Sequence, residues 1–213
     1  KGYLHTDGYS GYHCLPNEII VAGCWAHARR KFDEAIKSLP KGKAKNSSAA
    51  QGLAYCNLLF KIEEGLAGLS PEQRYDQRLK QAKPVLDAML AWVNTRAAAP
   101  KSTLGKALSY LKEQWPYLLN YLKDGRLELS NNRAERSIKP FVIDRKNFLF
   151  ANTPSGAKSS AVIFSLIQTA TENGLDPYRY LTWLLSSAGE MDLPQSQNAR
   201  LLLPWNAPAV CKV

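Results

Sequence analysis

EIIVAGCWAHARRKFDEAIKS, residues 18–38, changes its period part-way along, and that change sets the fold class. The first six residues carry a β-branched core, Ile19-Ile20-Val21, and read as a buried strand. From Ala26 the apolar positions take helical spacing, with Ala28, Phe32, Ala35 and Ile36 on one face and Arg29, Arg30 and Lys37 toward solvent. A strand feeding a helix is an α/β step. Upstream, GYLHT reads as a second short strand ending at Asp7, and DGYSGYHCLPN, residues 7–17, is loop chemistry with room for one helical turn.

Downstream the character changes. KGKAKNSS, residues 41–48, reads as a polar, basic linker, and from Ser48 to Lys123 the chain reads as helix throughout. Leu104, Leu108, Leu111, Trp115, Leu118 and Leu122 recur at alternating spacings of four and three, the seam of a helix packed along a long neighbour. The helix around Val85, Met89, Leu90 and Val93 is the expected partner, with Pro84 and Pro116 interrupting or kinking these segments. An all-helical block after two strands reads as an insertion rather than a continued βαβ pattern. Beyond Gly125 come LSNNRAERSIKP (129–140), a short apolar run in RKNFLFANT (145–153), an apolar helix with Val162, Ile163, Leu166, Ile167 and Ala170, and a helix capped by Asp176 with Pro177 in its first turn. The last twenty residues show no period and read as surface wrapping. The domain reading is therefore 1–40, a helical insertion at 41–123, a second core part at 124–190 and an irregular tail at 191–213.

The chain has 213 residues, 45% of them hydrophobic, enough for a sizeable core. Its 28 Lys and Arg against 18 Asp and Glu give a net charge of +10, which makes a polyanionic partner plausible without proving one. Cys14, Cys24, Cys56 and Cys211 are irregularly spaced, which suits a reducing, cytosolic setting better than a disulfide framework. No apolar run approaches the roughly 18 residues of a membrane span, and Lys1-Gly2-Tyr3 begins nothing like a signal peptide. The chain opens inside an apparent strand, so the expectation is a piece of something longer.

Asp7, between a strand and Gly8, stands where open α/β sheets place catalytic groups, and an Asp-Gly turn is the plainer alternative. Glu135 has three readings: partner to Asn132 in a capping box, i,i+4 mate of Lys139 on a helix ending before Pro140, or metal ligand. Cys24 and His27 make at most half of a zinc site. Arg126, Arg133, Arg136, Lys139, Arg145, Lys146 and Lys158 crowd the stretch around Glu135, which suits phosphates approaching a metal or, more plainly, a solvated face. No P-loop or dinucleotide fingerprint is present.

Taken in order, HTDGYSGY, CWAHARRKFDEA, LSNNRAERSIKPFVIDRKNFLF, the apolar helix into NGLDPYRYL, and LLPWN resemble the transposase family of insertion sequence 66, across essentially the whole chain. The resemblance implies a partial RNase H-like core with a large all-helical insertion, and a bacterial, cytoplasmic DDE-type enzyme. Its chemistry would be cleavage and joining of DNA strands by two-metal phosphoryl transfer. Asp7 corresponds to the second aspartate and Glu135 to the glutamate, both catalytic and both ligands of Mg2+, with Mn2+ as a substitute. His27, Arg29, Arg30, Asn132, Arg133, Arg136, Lys139, Arg145 and Lys146 would contact DNA, with homo-oligomers in the full-length protein and neither membrane nor small-molecule substrate. Trp92 or Trp115 would either stack on an unpaired base or serve as core. The first aspartate has no counterpart, since only six residues precede Asp7 and neither Asp33 nor Asp144 lies in the right block, so inactivity in isolation is expected. A non-catalytic DNA-binding or interaction module is the competing expectation.

Overall fold

The computed structural model describes residues 1–40, 42–148, 151–191 and 196–213, except for the side chains of His13, Arg145, Asn147, Phe148, Ser196 and Gln197. It divides into two compact units, Lys1–Arg133 and Ala134–Val213. The fold is mostly helical, with one small parallel sheet.

In the first unit, β1 (Gly2–Thr6) and β2 (Ile19–Gly23) pair in parallel, Gly2 opposite Ile19 through Thr6 opposite Gly23. The connection between parallel strands must be long, and residues 7–18 supply it with a single 3-10 turn at Ser10–Cys14. β2 leads into α1 (Trp25–Lys37), which buries Trp25, Ala28, Phe32 and Ala35. α2 (Ser48–Gly65) starts at a Ser47 cap, α3 (Pro71–Gln77) at a Ser70–Gln73 capping box, and α5 (Thr103–Leu118) at a Ser102 cap. Each cap oxygen accepts a main-chain N–H that the helix itself leaves unpaired.

Between α3 and α4 (Lys83–Asn94) lies a π-helical turn, Arg78–Ala82, closed by Lys83 N–H donating to the Arg78 carbonyl. Pro84 has no N–H to continue an α ladder, and the wider turn just ahead of it keeps the helix running where the sequence suggests a break. The turn also directs Arg78 inward, where it is fully buried. Pro116 likewise lies inside α5 without ending it.

The seam of α5 forms as expected, with Leu108, Leu111, Trp115 and Leu118 buried, but its partner differs from the sequence reading. α5 packs on α1 and β2, while α4 packs on α2. The reason lies in α1, whose Trp25 stacks edge-on to Trp115 with centroids 5.9 Å apart and donates its indole N–H to the Leu118 carbonyl at 3.0 Å. At Gly52 of α2 there is no room for a β-carbon beside the Phe32 ring, so glycine lets α1 and α2 approach. The resulting core joins α1 to all the long helices of residues 48–118, so the helical block and α1 share one interior. Trp92 and Trp115 belong to that core, Trp92 donating to Gln51 Oε1 at 2.9 Å, and neither offers a base a platform.

The second unit contains most of α6 (Asn132–Phe148), then α7 (Pro154–Glu172), α8 (Pro177–Glu190) and the short α9 (Ser196–Leu201). Thr153 caps α7 and Asp176 caps α8, accepting from Arg179 N–H at 2.9 Å. α6 does not stop before Pro140. It runs through it, and the T-shaped contact of Phe141 with Phe164, 5.0 Å between centroids, holds the half beyond the proline against α7. Asn132 is the first helical residue rather than the cap, which moves the expected capping box out of register. Of the apolar run after α6, Leu149 and Phe150 lie outside the described residues. The tail is more than surface wrapping: Cys211 is fully buried with Ala170, Leu175 and Tyr180, and Leu175 bridges Lys212.

Candidate active site

Asp7 is exposed in the bend that follows β1, at its carboxyl end. Its Oδ1 accepts the Tyr9 main-chain N–H at 3.2 Å, closing a small turn, and its main-chain carbonyl accepts the Tyr110 hydroxyl at 3.0 Å. Gly8 has φ +90°, and a β-carbon there would lie 2.9 Å from Gln114 Oε1 and 3.1 Å from the Tyr110 oxygen. Glycine is thus required twice, by backbone conformation and by the close approach of α5. Burial, with the nearby Cys24 and Asp7, pushes the Tyr110 phenol up to about 12, so the hydroxyl stays protonated as a donor.

The same end of the sheet is fixed from several directions. His5 Nε2 lies 3.0 Å from the Gly23 carbonyl, which can only accept, so Nε2 carries the proton. Asn120 Nδ2 donates to the Val21 carbonyl at 2.8 Å, and Trp25 N–H donates to the Leu129 carbonyl at 3.1 Å. That last bond ties the start of α1 to the segment leading into α6. The segment is gripped again by Arg78, whose guanidinium donates to the carbonyls of Tyr121, Asp124 and Leu127 at 2.9, 3.0 and 2.6 Å and to both oxygens of Glu63 at 2.8 and 2.7 Å.

Of the cations assigned to this unit, Arg29 is exposed, donates to Asn57 Oδ1 at 2.6 Å and lies over the Phe60 ring. Arg30 is exposed near Tyr110, and its charge opposes the rise in the phenol's pKa. His27 is half-buried in the first turn of α1, with its main-chain N–H on the Cys24 carbonyl. Cys24 is fully buried, and burial lifts the Cys56 thiol to about 12. Among the described residues no group of three or more His, Cys, Asp or Glu side chains forms, so nothing there completes a zinc set around Cys24 and His27. Arg126 is taken up by Asp124 at 2.6 Å, and its hydrogen bonds hold that carboxyl down to about 2. Arg133 lies 3.7 Å from Glu128.

In the second unit, Glu135 is exposed in the first turn of α6. Lys139 and Lys146, four and eleven residues on, share its helix face, and Arg136 lies beside them. All three are exposed, while the Arg145 side chain is outside the described residues. Asn132 is half-buried at the helix start. The two acids thus fall in different units, Asp7 in the first and Glu135 in the second. Sequence reasoning missed Tyr110, Gln114 and Asn131. Asn131 precedes α6 with its side-chain Oδ1 buried and without a hydrogen-bond partner among the described residues, and the Asn doublet was its only local signal. No helix among the described residues is long and apolar enough to cross a membrane.

Comparison with known proteins bears directly on these residues. The family model described as the transposase IS66 family matches residues 1–159, which include both acids, and the IS66 C-terminal element matches 165–205. Three uncharacterized proteins of Sinorhizobium fredii, y4hP, y4jD and y4qI, are each 32% identical, over 96%, 97% and 97% of this chain. The chain covers 39%, 41% and 39% of those proteins, about two fifths of the curated relatives it matches. No solved structure matches the chain.

Proposed function

The chain belongs to the IS66 transposase family, and from that premise we propose that it is part of a DDE-type transposase that cleaves and joins DNA strands, with Asp7 and Glu135 as two of its three catalytic acids. The observation that carries this reading is the family match over residues 1–159, with Asp7 at the carboxyl end of a parallel strand and Glu135 in the first turn of a helix. In this reading β1, β2, α1 and α6 are pieces of an RNase H-like core, and residues 41–123 are inserted into it. DNA is the partner, and the full-length protein works as a homo-oligomer.

The residues at hand fit magnesium. Both carboxylates are exposed oxygen donors, the chemistry a hard cation takes. When bound, the ions supply an activated attacking oxygen and a stabilised leaving oxygen for in-line displacement at phosphorus. The chain's own contribution is to hold Asp7 at the strand end and Glu135 on a rigid helix turn, while Arg136, Lys139 and Lys146 receive the DNA backbone on the face of α6 that carries Glu135. His27, Arg29, Arg30, Asn132, Arg133 and Arg145 are the further DNA-contacting residues of this reading. No acid among the 213 residues stands where the resemblance implies the first aspartate, so this polypeptide alone neither cleaves nor joins DNA.

Transposition by the full-length protein, scored in cells, tests the assignment. Asp7→Asn and Glu135→Gln each lower its frequency by about a hundredfold or more, the loss of several kcal/mol of transition-state stabilisation. Transposition undiminished by either change removes that residue from the catalytic set.

A further inference from the structure

We propose that Tyr110, on α5 of the helical block, is a positioning residue for Asp7: its hydroxyl fixes the main chain from which the Asp7 carboxylate projects and so sets that carboxylate for metal. The inference rests on the reading of Asp7 as a ligand and extends it to a residue 103 positions away. Two contacts define the turn. The Tyr110 hydroxyl holds the Asp7 carbonyl at 3.0 Å, and Asp7 Oδ1 holds the Tyr9 N–H at 3.2 Å. Carbonyl and carboxylate oxygen are thereby fixed on one residue, so the direction of the second carboxylate oxygen follows.

The contact is built rather than incidental. Gly8 lies so close to α5 that a β-carbon would meet both Gln114 and Tyr110, so the turn is seated on that helix face. α5 and the 3-10 turn that follows it (Leu119–Lys123) are anchored on either side of β2's end, through Trp25 to the Leu118 carbonyl and Asn120 to the Val21 carbonyl. Lys31 Nζ lies 5.9 Å from the Tyr110 ring centroid, a cation on the face of the ring that further restrains it. An exposed acid on a glycine turn would otherwise sample many directions, and metal affinity depends on ligands held in place. The helical block thus acts on the site through Tyr110, beyond packing beneath it.

Tyr110→Phe removes the hydroxyl and little else. In the 15N-labelled chain titrated with Mn2+, paramagnetic broadening of the Asp7, Gly8 and Tyr9 amides reports metal at Asp7, and Asp7→Asn identifies the part due to the carboxylate. The expected result is that Tyr110→Phe weakens that broadening roughly twofold to tenfold, the worth of one hydrogen bond. Amide exchange at Tyr9 speeds up, the circular dichroism is unchanged, and nothing further is lost when Asp7→Asn is already present. Gly8→Ala reaches the same turn from the other side and weakens Mn2+ binding as well. Unchanged broadening in Tyr110→Phe overturns the inference and leaves Asp7 a ligand. Broadening in the unaltered chain that survives Asp7→Asn means Asp7 is no ligand, and the inference falls with that reading.

Discussion

His5 joins the two strands through its bond to the Gly23 carbonyl, and burial lowers its pKa below the usual 6.5, outweighing the opposing pull of that bond and of Glu128. A histidine kept neutral in the fold binds its proton more readily in the unfolded chain. Its contribution is therefore intact above the unfolded value of about 6.5 and is lost as pH falls through the lower folded value. His5→Gln keeps an N–H for Gly23 but cannot titrate. Urea unfolding at pH 7.5 and 5.0 is expected to show a larger loss of stability for the unaltered chain than for His5→Gln, and equal losses in the two would place the acid sensitivity elsewhere. The candidate site residues differ in how they announced themselves. Asp7 and Glu135 stood out through their neighbours in sequence, a strand end with Gly8 and an Asn-rich helix start. Tyr110 gave no such sign, because the carbonyl it bonds is 103 residues away.

At the scale of elements, what was legible is what is local. The two strands, the period change into α1 and the Asp176 cap depend on residues within a turn of one another, and all formed. The partner of α5 and the passage of α6 through Pro140 depend on contacts made across the fold, Trp25 with Leu118 and Phe141 with Phe164, and these the pattern did not contain. Arg78 is the sharpest case. In sequence it is one cation among many in a helical run, yet in the fold it is fully buried and its partners lie 15, 43, 46 and 49 residues away. Such a group is costly to strand. Glu63→Ala leaves a buried guanidinium without its counter-charge and should cost about 3–5 kcal/mol in urea unfolding. Arg78→Lys should cost a comparable amount, since an ammonium cannot make the forked contact with Glu63 while also serving three carbonyls. A loss below about 1 kcal/mol in Glu63→Ala would mean that the three carbonyls alone satisfy Arg78.

The two units of the molecule have unequal cores. The first has one continuous core running from Trp25 and Phe32 through Leu59, Met89 and Leu111 to Tyr121 and Leu129, with Arg78 bonded at its edge. The second has a small core of Ala170, Leu175, Tyr180 and Cys211, while Ile138, Val142 and Val162 on its helices are 60%, 52% and 52% exposed and Leu185 is 72% exposed. Burial of apolar surface is the main favourable contribution to folding, and it scales with the area removed from water. The second unit therefore has less holding it. Its local opening should lie well below the free energy of unfolding of the first. Native-state hydrogen exchange across low urea concentrations distinguishes the two: amides of α7 and α8 are expected to exchange through an opening of lower free energy than those of α1 and α5. Merging of both sets into one isotherm at the global stability would instead make the chain a single cooperative unit, with Glu135 and Asp7 rising and falling together. Separate isotherms would mean that the helix bearing Glu135 can open while Asp7 and its Tyr110 contact stay folded.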